Sequence, residues 1–397
     1  MHFKTVCAII GIILLLCQIG FGERVEKPVL LVYEPQEALM KQWKNSDRFA
    51  FEGGSYDWRV PLSDHLRGDN PPDLITLNTH NAQYQALIKE NLLADLSQDG
   101  QVQAAFRRLR PTFQSMFRSP DGKIYGMPLL IGMNECAYWL PENWEAAGLE
   151  TATAPGSYVD LLGFLEDWLR HQQAGFRILP KSELADGMTH ARWLLNLLIP
   201  LWDAQAQYQG HGAKFNDPAF AALIARAVNI GQALDQIAWE DGAKPLFSCR
   251  SCRGVTLGGE KVTLGNLIPA RIDGTQEKLM LFGATLISVR AGSPWKTAAI
   301  PFAAQAEAAQ ADWARVMLYA NESPERWNAS NPQAQITQFW LDSLDECGYT
   351  PFLANHMTYG SDLNTLYRDL LDGSLSPTDF ARKLDILYRT PLTERDL

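Results

Sequence analysis

The stretch from Asp121 to Leu149, DGKIYGMPLLIGMNECAYWLPENWEAAGL, constrains the fold more than any other. Asp121-Gly122-Lys123 reads as a tight polar turn, because Asp and Gly accept turn dihedrals that most residues avoid. The apolar run through Tyr125, Met127, Leu129, Leu130 and Ile131 is too short to cross a bilayer and reads as a buried extended segment. Glu142 to Leu149 then reads as a short helix closed at Gly148. Tyr138 and Trp139, between strand and helix, read as packing residues.

The same alternation recurs along a chain of 397 residues, long enough for one large domain or two ordinary ones. Pro28 to Tyr33 reads as a first strand, buried on both faces as in a parallel sheet, with Gln36 to Trp43 helical after it. Asn45 to Asn70 is a polar stretch. Asp73 to Leu77 is a second strand, followed by the polar residues Asn78, Thr79, His80 and Asn81 and by a helix from Tyr84 to Asn91. That places a polar loop at the carboxyl end of a strand, where open α/β sheets bind ligands. Ser157 caps a helix whose stripe of Tyr158, Leu161, Leu162, Leu165, Trp168 and Leu169 belongs to a core. Further helices span Ala191 to Trp202 and Asp217-Pro218 to about Ala238. Leu279 to Val289 reads as a strand pair or as one strand bent at Gly283. Asn331-Pro332 opens a helix ended by Gly348, and Ser376 to Asp379 opens a terminal one.

Lys4 precedes an apolar run from Val6 to Cys17, and small residues surround Gly22. This is the pattern of a signal peptide over residues 1–22, with lipidation of Cys17 as the less favoured alternative because Leu16 stands where that signal needs a small residue. The formal net charge is -10, and removal of the segment carrying Lys4 leaves -11. No basic patch stands out, which argues against nucleic acid and favours a neutral or cationic ligand. The 12 Trp residues supply either a large core or rings that stack on sugars.

Beyond the leader the cysteines are Cys136, Cys249, Cys252 and Cys347. Cys249-Arg-Ser-Cys252 sits in a turn-rich loop, and in an exported chain it reads first as a local disulfide. A redox pair or a metal site are the other readings, although a zinc site would want a second nearby pair. Cys136 and Cys347 could form another bridge, but sequence does not set connectivity. There is no G-x-S-x-G, H-E-x-x-H or phosphate-binding glycine loop. Carboxylates are plentiful, so a carboxylate-pair hydrolase stays open as the rival reading.

Gly122-Lys123-Ile124-Tyr125-Gly126-Met127-Pro128 resembles the "GKxYGxP" turn of the extracellular solute-binding proteins of ABC importers, the maltose-binding-like family. Pro72-Asp73 with Leu92-Leu93, and Asn331-Pro332, resemble further short blocks of that family between about residues 28 and 390. Trp139-Leu140 departs from its usual Tyr-Asn, and Ala284-Thr285 from its usual Trp region. The resemblance implies an α/β, two-lobed periplasmic-binding-protein fold (type II). Lobe one would hold residues 23–127 and a returning segment near 296–345; lobe two would hold 128–295 and C-terminal helices from 346 to 397. It implies a periplasmic or secreted monomer, without cofactor, metal or catalysis, that closes a hinge on a solute, most readily a carbohydrate, and docks on a membrane permease. Candidate ligand residues are Tyr33 and Glu34 after the first strand, and Thr79, His80 and Asn81 after the second. Met133 and Asn134 in the crossing segment, and Trp202, Thr285 and Asn321 in later loops, complete the set.

Overall fold

The structure, a computed structural model, describes residues 27–57, 60, 62–78, 82–119, 121–133, 137–150, 154–184, 187–248, 268, 271–309, 361–389 and positions 315, 318, 319, 322, 341, 348 and 349. The leader 1–22, Cys17 and the cysteines 136, 249, 252 and 347 lie outside the described residues.

Five strands form the main sheet: β1 (Val29–Tyr33), β2 (Ala50–Gly54), β3 (Leu74–Asn78), β4 (Met127–Met133) and β5 (Phe282–Val289). Their order is β2-β1-β3-β5-β4. β1 runs parallel to β2 and β3, whereas β5 is antiparallel to both β3 and β4. Within β1, Leu30 and Val32 are fully buried while Val29 is 51% exposed. The strand is therefore covered on one face and partly on the other, not buried on both. β2 and the helix Leu62–Arg67 lie inside the stretch read from sequence as polar. Leu279 to Val289 is a strand pair, and its break falls at Leu281, where Leu279–Met280 leaves to pair with Gly348–Tyr349.

The Gly122–Pro128 motif has a packing reason. Gly122 adopts φ 78°, which suits glycine, and the Asp121 carboxylate accepts from the Lys123 amide and from the Tyr125 hydroxyl at 3.3 Å. Gly126 then passes directly against β5. A Cβ there would lie 2.7 Å from Ser288 Oγ and 3.0 Å from Leu286 Cβ. Bare backbone at this position lets β4 enter the sheet beside β5. Gly126→Ala should therefore cost about 1–3 kcal/mol, read as a lower thermal midpoint, whereas the same change at Gly100, which faces open space, should cost less.

Two large hydrophobic cores and one small cluster result among the described residues. The first gathers the main sheet with Trp43, Phe106, Phe113, Ala299 and Tyr319. The second is helical, built on α1 (Tyr158–Arg170), α2 (His190–Tyr208), α3 (Pro218–Asp235), α4 (Ser361–Leu371) and α5 (Pro377–Arg389). Among the described residues, the chain leaves the first core after Ile131 and returns to it at Ala284, with Tyr319 buried in it and Leu341 packed against it. Tyr138 reaches back into the first core while Ala137 and Trp139 pack in the second. The sheet thus takes strands from both sides of the boundaries expected at 127 and 295.

Side-chain caps start these helices. Ser157 Oγ accepts from the Asp160 amide, Asp217 from Ala219 and Phe220, and Ser376 from Asp379. α2 and α3 pack at near backbone contact, since a Cβ on Gly231 would overlap the main chain of Ala191. Nearby, Asp235 Oδ1 accepts from the His190 amide at 2.9 Å and lies 2.7 Å from its Nδ1. Most large aromatics are spent on these cores: Trp43, Trp144 and Trp193 are buried, as are Trp139 and Trp168.

Asp203 on α2 is fully buried, held by the Tyr388 hydroxyl at 2.6 Å and by Gln207 Nε2 at 2.8 Å. Burial pushes its carboxyl up to about 7, against the lowering effect of both donors. The folded state thus binds a proton that the unfolded chain releases near pH 4. Stability from this group is present below that pH and is lost as pH rises to about 7. Asp203→Asn should flatten the decline, whose upper size is roughly 4 kcal/mol. Parallel thermal-midpoint curves for wild type and variant between pH 4 and 8 would contradict this.

Candidate ligand-binding rim

Sheet polarity decides which residues meet. β1, β3 and β4 run in one direction, and β5 runs against them. The carboxyl ends of β1, β3 and β4 therefore share one edge of the sheet with the first residues of β5. In register, Met133 lies beside Phe282, and Thr285 lies between Asn78 and Leu130. A bulge follows Thr285, and such irregularities re-aim side chains at sheet rims. These strands end toward one edge of the sheet in a stagger: Tyr33 lies beside Ile75, three residues short of Asn78 and Thr285, while Met133 lies three residues beyond Leu130, and Asn78 leads toward Thr79. Thr79, His80, Asn81, Asn134 and Asn321 themselves lie outside the described residues.

Trp202 is placed elsewhere. It sits on α2, its ring 5.0 Å from that of Phe220, and its Nε1 donates to the Lys214 carbonyl at 3.2 Å. It packs against the second core. The neighbouring turn of α2 does reach the returning chain. Gln205 Nε2 donates to the Glu277 carbonyl at 3.0 Å, and Ala204 clusters with Leu279 and Leu281 just before β5.

The corner at the end of β1 is the best-defined part of the rim. Glu34 has φ 49°, a left-handed conformation uncommon for a residue with a Cβ, and its amide donates to the Gly54 carbonyl at 2.9 Å. Gly54 lies under the Tyr33 ring, 3.1 Å from where its Cβ would sit. His65, on the helix Leu62–Arg67, meets Tyr33 and Tyr56 edge-on, with centroids 6.1 and 5.9 Å away. Its Nε2 faces the Asp57 carbonyl at 3.1 Å, which makes that nitrogen the donor. Tyr33 Oη donates to the Asn70 carbonyl at 3.4 Å. Burial and then the Glu34 charge raise the Tyr56 hydroxyl above its ordinary range. Tyr56 and His65 were not singled out from sequence. The available signal was the two-residue alternation of Phe49, Phe51 and Gly53, which marks β2 and hence its exit toward Tyr56.

Among the described residues, no three His, Cys, Asp or Glu side chains are grouped to hold a metal, and no helix is long and apolar enough to cross a membrane. The strained Glu34 gives a direct test. Glu34→Gly should raise stability by about 0.5–1 kcal/mol, the left-handed penalty less glycine's extra entropy cost, measured as the denaturant midpoint.

No family model matches the chain, and no curated protein matches it by sequence. Solved structures do match by fold. An ABC substrate-binding protein from Listeria monocytogenes in complex with cycloalternan has a TM-score of 0.62 at 17% identity, covering 91% of this chain and 98% of its own. The GacH receptor of Streptomyces glaucescens, solved unliganded and with acarbose, has a TM-score of 0.59 at 16% identity, with 93% and 99% covered. Maltose-bound MalE3 of T. maritima gives 0.57 at 11% identity, with 91% and 99% covered. With nearly the whole of both chains aligned in each case, this protein has the two-lobed α/β fold of the ABC-importer solute-binding proteins.

Proposed function

We propose that the chain is an exported receptor that captures a carbohydrate between its two lobes and delivers it to an ABC permease. The observation that carries this reading is that β1, β3 and β4 end toward one edge of the sheet, where Glu34 turns out of β1 and Thr285 pairs with Asn78, beside the chain's return from the second core. Rigid strands holding polar and aromatic groups at such an edge suit directional recognition of hydroxyls together with stacking on a pyranose face. Thr79, His80, Asn81, Asn134 and Asn321 would extend the same rim, and the region of Trp202 would supply the facing lobe. We place the first lobe at residues 27–133 with 282–319, and the second at 137–277 with the terminal helices. Short crossings between separate cores suit hinge closure, in which bound ligand stabilises the closed state that the permease reads. The mechanism needs no covalent step, and the receptor would work as a monomer after loss of residues 1–22.

Thermal unfolding of the mature protein against mono- and oligosaccharides tests the proposal. A sugar at about 100-fold over its dissociation constant adds about 2.7 kcal/mol to a state that alone binds it, raising the midpoint by a few degrees. The sugar should be recovered unchanged. Breakdown of the sugar would instead favour a carboxylate-pair hydrolase.

A further inference from the structure

The end of the sheet opposite the rim is built from the start of β1, the start of β2 and the segment that follows β5. Its parts are tied together. Lys27 Nζ donates to the Ser46 carbonyl at 2.7 Å, Ser46 Oγ accepts from the Phe49 amide at 3.3 Å, and the Arg48 guanidinium lies 5.8 Å from the Phe49 ring centroid. Trp295 makes a T-shaped contact with that ring, centroids 5.7 Å apart, yet stays 40% exposed. Its amide donates to Ser293 Oγ, which itself donates to the buried Asp73 carboxylate, so the indole is held at the surface by its own backbone. Across residues 27–32, 44–50 and 293–299, exposed Lys27, Lys44, Arg48 and Lys296 stand against Asp47. Glu23, Arg24 and Glu26, which precede them in sequence, leave the excess positive, on a chain whose net charge is -10. An exposed indole among lysines and arginines suits a water–lipid interface, where the ring lies at headgroup depth and the cations meet anionic headgroups. The course of the chain favours the same occupant. β1 is the first strand, so the apolar run Val6–Cys17 leads in sequence into this end.

We propose that this end of the sheet docks reversibly on the anionic headgroups of a membrane surface, with Trp295 at headgroup level and Lys27, Lys44, Arg48 and Lys296 facing lipid phosphate. This rests on the reading of the protein as an exported receptor that serves a permease. The rim lies at the other end of the sheet, so the docked receptor turns its rim toward incoming solute and lifts off to deliver it. One indole and a few charges suit such a weak, salt-sensitive contact.

The test is flotation of the mature protein, residues 23–397, with vesicles of phosphatidylcholine alone or of phosphatidylcholine mixed equally with phosphatidylglycerol. The protein should rise with the anionic vesicles, stay below the neutral ones, and detach in about 1 M salt. Lys27→Gln, Arg48→Gln and Lys296→Gln should each lower partitioning about fivefold, while Lys383→Gln, on α5, should leave it unchanged. Trp295→Ser should lower it too. The Gln variants keep the Phe49–Trp295 packing, so they read the contact even where Trp295→Ser lowers stability. Absent flotation, equal flotation with both vesicles, or flotation untouched by the Gln variants would overturn the docking. So would a concentration-dependent dimer that Trp295→Ser dissolves, which would assign this face to a second copy. Stabilisation of the same sample by a saccharide would, in each of these cases, leave the receptor reading standing.

Discussion

Everything in this molecule hangs on the antiparallel strand β5 inserted between β3 and β4. It belongs to the far half of the chain, yet it completes a sheet begun by the first hundred and thirty residues. Its insertion seals the first core, ties that core to the helical one, and sets the register that aligns Thr285 with Asn78 and Phe282 with Met133. A buried clasp fixes its far end. The Arg290 amide donates to the Asp73 carbonyl and its Nε to the Pro72 carbonyl, while the Asp73 carboxylate accepts from the Leu31 amide and from Ser293. β3 and β5 are thereby held at one end and β1 at its middle residue, while β3, β5 and β4 run on beyond the end of β1. One-sided locking of this kind lets a rim be both well placed and open to ligand.

Much of this was legible in the sequence, and for physical reasons. The caps at Ser157, Asp217 and Ser376 lie beside apolar stripes of helical period, so local and tertiary preferences agree there. The Gly122–Pro128 motif could be read as turn and strand, but the reason for Gly126 could not. That reason is a contact with Ser288 and Leu286, more than a hundred and fifty residues away. β2 was hidden for the same kind of cause. Its glycines and Glu52 look like loop, and only pairing with β1 makes Ala50–Gly54 a strand. Non-local pairing overrides weak local propensity.

The rim shows the same division. A strand followed by a polar or charged residue made Tyr33 and Glu34 candidates, because chain direction alone turns the ends of parallel strands toward one edge of an α/β sheet. Tyr56 and His65 come from the exit of a neighbouring strand and from a helix, and the alternation of Phe49, Phe51 and Gly53 hints only at the strand, not at this meeting. Trp202 illustrates the opposite case. A candidate from the later loops, it lies on α2, its ring beside Phe220 and its indole N–H donated to the Lys214 carbonyl. Among the described residues, Trp43, Trp139, Trp144, Trp168 and Trp193 are buried in the cores, in keeping with how much surface each one buries.

The described residues form two large cores, and α2 leans on the segment that feeds β5. Such an arrangement allows closure without repacking either core, which is what a receptor that signals occupancy by shape requires. The most direct test of that account is small-angle X-ray scattering on the mature protein, titrated with a saccharide that protects it from thermal unfolding. The account predicts a smaller radius of gyration at saturation, reached with the same dissociation constant as the binding itself and reversed when the sugar is removed. An unchanged scattering profile at full occupancy would contradict it.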